Sequence, residues 1–242
     1  MKTKIVTISF INSAPLWWAL KDEKSVDLAF AKPSQILPLF KMGNYDIALL
    51  PTYEFVKNRF IEAAPYGVLS NGNVKSVLLF HKGKMNQIEK IYLDPNSRTS
   101  QAMTKYLFQE KFIRFEKKRK NLNDLGFDEG QLLIGDKALK LRKCGLKTTD
   151  IASLWKKKTK LPALFALWAK NDKKRVSDSE TLLSEGYRKS IKKLDQIIKW
   201  AEQETKIDEK TLRDYFTKSL FYFLGEEGKE ALKFYRKVFD ER

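Results

Sequence analysis

Strand patterns alternate with helix patterns along the first 170 residues, and this alternation constrains the fold more than any other feature. Residues 4–10 form a strand pattern, residues 15–20 open a helix with Pro15 in its first turn, and residues 45–50 are an almost continuous apolar strand. Near-continuous apolar strands are typical of parallel sheets that are covered on both faces. Strands that alternate with helices imply right-handed crossovers between parallel neighbours. The sequence therefore predicts an α/β fold with mainly parallel sheets.

The pattern changes near residue 177, where strands give way to helices. The periodicity of apolar residues predicts helices over 178–204, 208–218 and 225–240. Ser177 and Asp208 are the expected N-caps of the first two. We therefore expect a helical C-terminal segment behind the α/β part.

A polar junction at residues 94–100, Asp-Pro-Asn-Ser-Arg-Thr-Ser, joins an apolar strand to a helix. It gathers Ser97, Arg98, Thr99 and Ser100 where backbone N–H groups are unpaired and the helix dipole is positive. Such a junction favours binding of a carboxylate or a phosphate. The same residues also fit an ordinary N-cap followed by an exposed arginine, and the junction alone does not decide between the two.

Polar residues also follow, or lie within, other predicted strands. In α/β sheets, ligands bind beyond the carboxyl ends of the strands, so these residues are candidates for a polar cleft. Each has a structural alternative as a turn former, a first-turn acid, a hinge, an N-cap or a small core residue. The candidates are Asn12, Thr52, Glu54, Ser76, Gly135 and Asp136.

Residues that commonly carry metal or nucleophilic chemistry are scarce. The only cysteine is Cys144, and the only histidine is His81. Neither belongs to a cluster with metal-ligand spacing, and no glycine-rich nucleotide loop occurs. We therefore expect no metal and no other cofactor, and we interpret His81 as a structural or surface residue.

The chain carries a formal net charge of +17 and contains runs of basic residues. The densest runs are 117–120, 156–158 and 173–175. Such runs can bind nucleic acid, but no zinc finger, aromatic RNA-binding motif or helix-turn-helix signature accompanies them. We interpret them as solvated surface and expect no nucleic-acid partner.

The sequence carries no signal of membrane insertion or export. No apolar run approaches the length of a membrane span, and Met-Lys-Thr-Lys leads directly into a strand pattern rather than a signal peptide. We therefore expect a cytoplasmic protein that does not contact a membrane. The sequence does not indicate an oligomeric state.

Six segments resemble the chorismate dehydratase family of the futalosine route to menaquinone, in the family's order. Residues 177–242 match more loosely, residues 114–130 are rich in lysine rather than proline, and His81 stands where a small polar residue is expected. The segments are Ile-Asn-Ser-Ala-Pro-Leu (11–16), Gly-Asn-Tyr-Asp-Ile-Ala-Leu-Leu (43–50), Val-Lys-Ser-Val-Leu-Leu-Phe (74–80), Leu-Asp-Pro-Asn-Ser-Arg-Thr-Ser (93–100), Leu-Leu-Ile-Gly-Asp-Lys-Ala-Leu (132–139) and Leu-Pro-Ala-Leu-Phe-Ala-Leu-Trp-Ala (161–169).

The resemblance implies a two-lobed fold of the type 2 periplasmic-binding-protein kind, used as an enzyme. One lobe would hold residues 1–84 and 168–242, and the other would hold residues 85–167. The chain would cross between them near 82–86 and 168–171. Substrate would lie in the cleft, and hinge closure would expel water.

The implied activity is that of a hydro-lyase, which eliminates water from chorismate to give 3-[(1-carboxyvinyl)oxy]benzoate. The expected catalytic residues are Asn12 and Ser76. The general base would be Glu54 or the side-chain carboxylate of the substrate itself, and the sequence does not choose between them. The expected substrate-binding residues are Thr52, Ser97, Arg98, Thr99, Ser100, Gly135 and Asp136.

Other classes of protein stay open. The related enzyme 1,4-dihydroxy-6-naphthoate synthase shares the fold, but its Ser-Pro-Cys-Pro-Asn-like segment is absent and residues 11–16 favour the dehydratase. A non-catalytic protein that binds a small carboxylate would bind its ligand without turnover. A nucleic-acid-binding protein would bind with a strong dependence on salt.

Overall fold

The strands form two separate β-sheets. A computed structural model describes residues 2–171 and 178–240. The first sheet has the strand order β11-β4-β10-β3-β1-β2, and the second has the order β7-β6-β8-β5-β9. The strands of the first sheet are β1 (Thr3–Ile8), β2 (Val26–Ala31), β3 (Ile47–Pro51), β4 (Ile61–Ser70), β10 (Ala163–Lys170) and β11 (Phe221–Phe223). The strands of the second are β5 (Val77–His81), β6 (Lys90–Tyr92), β7 (Arg114–Glu116), β8 (Glu129–Ile134) and β9 (Lys147–Asp150).

Helices connect the strands and cover both sheets. The C-terminal segment is helical, as predicted, although Phe221–Phe223 forms a strand within it. Ser177 and the basic run 173–175 lie outside the described residues. The α-helices are α1 (Ala14–Trp17), α2 (Pro33–Lys41), α3 (Thr52–Lys57), α4 (Arg98–Leu107), α5 (Gly135–Leu141), α6 (Ile151–Thr159), α7 (Ser179–Ile191), α8 (Leu194–Thr205), α9 (Glu209–Asp214) and α10 (Gly225–Asp240).

Both sheets are mixed rather than mainly parallel. In the first sheet β1 pairs in parallel with β2 and β3, whereas β10 runs antiparallel to β3 and β4. In the second sheet β6 pairs in parallel with β7 and β8, whereas β5 runs antiparallel to β8 and β9. The α/β fold is confirmed, and the expectation of mainly parallel sheets is corrected. Apolarity along a strand reports that it is buried, and it does not report the direction of its neighbour.

The chain changes sheet earlier than the sequence predicted. Residues 77–81 were assigned to the first lobe, but they pair with β8 and β9 in the second sheet. Residues 163–167 were assigned to the second lobe, but they pair with β3 and β4 in the first sheet. We propose two lobes on this basis. Lobe I carries the first sheet and the C-terminal helices, and lobe II carries the second sheet, with crossings at 71–76 and 160–162.

The core of lobe I lies around its two central strands. Ile47, Leu50 and Trp168, on β3 and β10, are completely buried. Helix α10 packs on β10, where the Leu164 N–H donates to the Tyr235 hydroxyl at 3.2 Å. None of the helices within the described ranges combines the length and apolarity that a bilayer span requires.

Candidate active site

A narrow cavity of about 60 Å³ lies between the two lobes, where strand ends from both sheets meet. Its walls are mostly apolar and include the rings of Phe10 and Phe165. Five of the ten predicted site residues line it, and two of them lie at the junction that was predicted to bind an anion. These five are Asn12, Ser76, Ser97, Ser100 and Gly135.

Asn12 lies on a 3₁₀ turn, residues Ile11–Ser13, that directly follows β1. Ser13 fixes this turn, because its hydroxyl lies 2.8 Å from the carbonyl oxygens of both Ile8 and Phe10. The side-chain amide of Asn12 makes no hydrogen bond to any residue that the structure describes, although it lines the cavity. It is therefore a free donor and acceptor facing the cleft.

Ser76 lies immediately before β5, rather than inside the strand as the sequence predicted. Its carbonyl oxygen accepts a hydrogen bond of 2.7 Å from the N–H of Gly135. Its hydroxyl oxygen accepts one of 2.8 Å from the Tyr215 hydroxyl. Only 2% of the residue is exposed, so the cavity is the open side of its hydroxyl.

Ser97 and Ser100 form the start of α4 at the edge of the cavity. Ser97 is the N-cap, and its hydroxyl oxygen accepts from the Ser100 N–H at 3.1 Å. It also donates to the Ser100 hydroxyl at 2.9 Å. The Ser100 hydroxyl proton is then available to a ligand, next to the positive end of the α4 dipole. Both the N-cap and the ligand-binding interpretations of this junction are compatible with the geometry.

An ion pair between a buried carboxylate and a half-exposed arginine supports this junction. Asp94 is completely buried, and both of its carboxylate oxygens lie 3.0 Å from Nη2 of Arg119. The same carboxylate accepts from the N–H of Asn96, and the Asp94 carbonyl oxygen accepts from the Gln101 side chain. Sequence reasoning missed this pair because it interpreted the basic run 117–120 as solvated surface. The one signal of the position is that the run, Lys-Lys-Arg-Lys, contains a single arginine among lysines.

Arg98 and Thr99 do not line the cavity, which corrects their predicted place in one pocket with the two serines. The Arg98 guanidinium donates to Glu54, with Nη1 3.0 Å from Oε1. The Thr99 hydroxyl accepts from the N–H of Tyr53 at 3.1 Å. Both contacts join α4 of lobe II to α3 of lobe I. These two contacts therefore help to hold the lobes together.

Glu54 and Thr52, both on α3, also lie outside the cavity. Glu54 is buried against Arg98 and lines a separate crevice beside α2. Thr52 is completely buried, and its hydroxyl has no partner among the described residues. Strand-end position alone does not tell whether a side chain points into the cleft or beneath it, and for these two residues it points elsewhere.

Gly135 and Asp136 begin α5 and contact lobe I. Gly135 has φ +65°, a backbone conformation in which a residue with a side chain would be strained, and a Cβ there would lie in ordinary contact with the Phe10 ring, at 3.4 Å. Asp136 does not line the cavity. Burial raises the pKa of its carboxyl group to about 6, although the Ile11 N–H donates to it. Asp136 is therefore a further contact between the lobes.

His81 lies away from the cavity, inside the second sheet. It is buried, and its ring nitrogens lie 3.0 Å from the Gly83 carbonyl oxygen and 3.0 Å from the Thr149 hydroxyl. Burial lowers the pKa of its imidazole. Both nitrogens are engaged by structural partners, in line with the structural interpretation.

A larger crevice of about 360 Å³ lies on the outer side of α4. Arg98, Lys105 and Lys117 line it together with the rings of Tyr53 and Phe239. It does not collect strand ends from the two sheets, so we place the candidate active site in the smaller cavity.

The residues around the small cavity provide neutral hydrogen-bonding groups. Asn12, Ser76, Asn96 and the two serines of α4 are amides and hydroxyls, and no described residue that lines the cavity carries a titratable side chain. No group of three or more His, Cys, Asp or Glu side chains in metal-binding arrangement occurs within residues 2–171 and 178–240. Such a site can bind and orient a carboxylate or a hydroxyl, but it supplies no protein acid or base of its own.

Residues 3–241 match the protein family described as menaquinone biosynthesis. The chain belongs to this family. It is 30% identical to the chorismate dehydratase of Thermus thermophilus over 181 residues, an alignment that spans 66% of either chain. It is 26% identical to the chorismate dehydratase of Campylobacter jejuni over 239 residues, which covers 96% of this chain and 95% of the relative.

A solved structure of similar shape supports the periplasmic-binding-protein-like fold. A Candida albicans protein described as having the generic periplasmic binding protein fold superposes with a TM-score of 0.63 at 15% identity, and the match covers 100% of this chain and 94% of that one. The predicted periplasmic-binding-protein-like fold of this menaquinone biosynthesis family member is therefore confirmed.

Proposed function

We propose that this chain is a chorismate dehydratase, a hydro-lyase that converts chorismate to 3-[(1-carboxyvinyl)oxy]benzoate and water. The family match over residues 3–241 and two relatives with that activity support the proposal. The structural observation that carries it is a cleft lined by neutral donors from both lobes. A dianionic substrate that needs orientation more than acid–base assistance suits such a cleft.

The reaction requires one C–H bond and one C–O bond to break on adjacent ring carbons. The proton leaves the carbon that bears the enolpyruvyl ether, its bonding electrons form the new ring double bond, and the neighbouring hydroxyl departs. The proton and the hydroxide together make up the water released. Formation of the aromatic ring drives the elimination, so the protein has to align the two bonds and stabilise the departing oxygen.

We assign the binding of the substrate's departing hydroxyl to Asn12 and Ser76. Asn12 lines the cavity from lobe I, and Ser76 lines it from the crossing between the lobes. The serines at the start of α4 are placed to bind a carboxylate of the substrate. Contacts to the departing oxygen would strengthen as negative charge develops on it, which lowers the barrier rather than tightening substrate binding alone.

The base in this proposal is the side-chain carboxylate of the substrate. Glu54 is engaged by Arg98 and lines a different crevice, and the described lining of the cavity offers no titratable side chain. A carboxylate carried by the substrate can take the ring proton without a protein base. The protein's part is to hold the substrate in a folded conformation in which this carboxylate reaches the proton.

Substrate entry requires the lobes to separate. A cavity of about 60 Å³ is far smaller than the roughly 300–1,000 Å³ of ordinary ligand sites. Arg98, Thr99 and Asp136 contact lobe I on the rim of this cavity. We propose that these contacts open for substrate entry and re-form around the bound substrate.

Turnover and binding measured together test this function. Purified protein is incubated with chorismate, products are separated by liquid chromatography with mass detection, and binding is followed by calorimetry. Conversion to a product lighter by one water supports the dehydratase. Binding without conversion would favour the non-catalytic binding protein, and the absence of both binding and conversion would contradict the proposed function. Cytoplasmic location and the absence of nucleic-acid partners and cofactors stay predictions.

A further inference from the structure

A hydrogen bond links the C-terminal segment to the cleft from behind. The Tyr215 hydroxyl donates to the Ser76 hydroxyl oxygen at 2.8 Å, across 139 positions in the sequence. Tyr215 is 1% exposed and Ser76 is 2% exposed. Tyr215 does not line the cavity, so it can reach the reaction only through Ser76.

We propose that Tyr215 is a positioning residue that directs the Ser76 hydroxyl proton into the cleft, a role that rests on the proposed dehydratase function. A serine hydroxyl has one proton, and its direction is free until a neighbour fixes it. Because Tyr215 donates to the oxygen, the proton of Ser76 has to point elsewhere. The cavity is its open side, where the departing hydroxyl of the substrate would accept it.

Burial keeps Tyr215 in the donating form. The pKa of its phenol is raised by desolvation, which outweighs the opposing hydrogen bond with Ser76, and the nearby carboxylates of Asp136 and Asp150 raise it further. The phenol therefore stays protonated at neutral pH. A neutral donor behind Ser76 also orients it without adding a charge to the site.

A local irregularity in the C-terminal segment places Tyr215. Helix α9 begins at an Asp208 cap, whose carboxylate accepts from the Thr211 N–H at 2.8 Å. It continues into a single π turn, Tyr215–Ser219, in which the Leu220 N–H donates to the Tyr215 carbonyl oxygen at 3.2 Å. Single π turns occur often at functional sites, because they redirect side chains that a regular helix would place elsewhere.

The same segment also holds the second catalytic candidate. The Tyr222 hydroxyl, on β11, donates to the carbonyl oxygen of Asn12 at 3.1 Å. Tyr222 is 3% exposed, and burial raises the pKa of its phenol. Two buried phenols from residues 215–222 thus contact Asn12 and Ser76, which indicates that this segment supports the site rather than only closing the core.

Tyr235 provides a matched control for the test. It is completely buried, and its hydroxyl accepts a hydrogen bond from the Leu164 N–H at 3.2 Å. It stacks on Trp155 with ring centroids 4.6 Å apart, outside the cavity. Tyr235→Phe therefore removes the same atom from an equally buried ring without touching Ser76.

The test compares steady-state kinetics with chorismate for Tyr215→Phe, Ser76→Ala, their double variant and Tyr235→Phe, each checked for its melting temperature. Tyr215→Phe is expected to lower kcat about tenfold with KM changed less than about twofold, since one oriented hydrogen bond is lost. The double variant is expected to be no slower than Ser76→Ala, because Tyr215 acts only through Ser76. Tyr235→Phe is expected to keep the wild-type kcat.

Two results would overturn the proposal in distinguishable ways. If the wild-type protein converts chorismate but Tyr215→Phe has the same kcat as Tyr235→Phe, or the losses of Tyr215→Phe and Ser76→Ala multiply in the double variant, the positioning role fails and the dehydratase function stands. If the wild-type protein does not convert chorismate, the proposed function fails and this role fails with it.

Discussion

Arg98 and Glu54 form an ion pair that joins the two lobes beside the cleft, with Nη1 of the arginine 3.0 Å from Oε1 of the glutamate. The guanidinium is 65% exposed, whereas the glutamate is 11% exposed. Glu54, the only candidate protein base that sequence reasoning had named, is thus engaged by Arg98. The pair separates two explanations of the chemistry, a base supplied by the protein and a base supplied by the substrate.

Glu54→Gln is expected to keep kcat within a few-fold of the wild-type value. The amide oxygen can still accept from Arg98, and in our account the residue takes no proton. A general base commonly contributes ~10²–10⁴ in rate, so its loss would be unmistakable in steady-state kinetics. A fall in kcat of that size, in a variant with unchanged melting temperature, would return Glu54 to the role of base.

Arg119→Ala is expected to destabilise the protein by about 1–3 kcal/mol in urea unfolding, because the completely buried Asp94 carboxylate loses its half-exposed partner. Lys117→Ala, in the same basic run, is the control and should change the free energy of unfolding by less than about 0.5 kcal/mol. Adding Asp94→Asn to Arg119→Ala should restore part of the loss. Equal effects of the two single substitutions would show that the ion pair does not support the junction.

Asp136→Asn tests a pH dependence. Burial raises the pKa of this carboxyl group from 3.8 to about 6, so the folded state favours the protonated form. Its contribution to stability is complete below about pH 4 and is lost as the pH rises through about 6, a change of roughly 3 kcal/mol.

Unfolding free energies across pH 4–7 check this prediction. The difference between wild type and Asp136→Asn should fall over that range, while the difference for the exposed Asp124→Asn, which removes the same charge, should stay flat. Parallel curves for wild type and Asp136→Asn would contradict the buried, inter-lobe position of this carboxylate.

Asn12→Ala and Ser76→Ala are expected to lower kcat by ~10²–10³ and to raise KM much less, because in our proposal both side chains contact the departing hydroxyl in the transition state. Ser190→Ala is the matched control, since Ser190 is a completely buried serine that accepts from the Ala19 N–H far from the cavity. It should lose stability and keep its kcat. Normal kcat in folded Asn12→Ala and Ser76→Ala would remove both residues from the mechanism.

The sequence indicated which strand ends meet at the cleft. The rule that ligands bind beyond the carboxyl ends of the strands in α/β sheets needs only the local pattern of strands and helices. Asn12, Ser97, Ser100 and Gly135 were found in this way, and all four line the cavity. The rule does not report side-chain direction, so it also selected Glu54, which points into another crevice.

Contacts between distant segments could not be predicted. The Arg119–Asp94 pair spans 25 positions and the Tyr215–Ser76 bond spans 139, and neither partner's local pattern distinguishes it from a surface arginine or a core tyrosine. The pairing of residues 77–81 with β8, rather than with the strands of the predicted first lobe, could not be read for the same reason, since pairing is a property of the fold and not of the strand.

The most direct measurement of the central claim is a proton NMR time course of chorismate with the purified protein, recorded with excess chelator. Our account predicts that the ring signals of chorismate are replaced by those of 3-[(1-carboxyvinyl)oxy]benzoate and that the chelator does not change the rate of conversion. Ser76→Ala is expected to slow this conversion by ~10²–10³. Chorismate that persists unchanged with folded wild-type protein would contradict the dehydratase assignment.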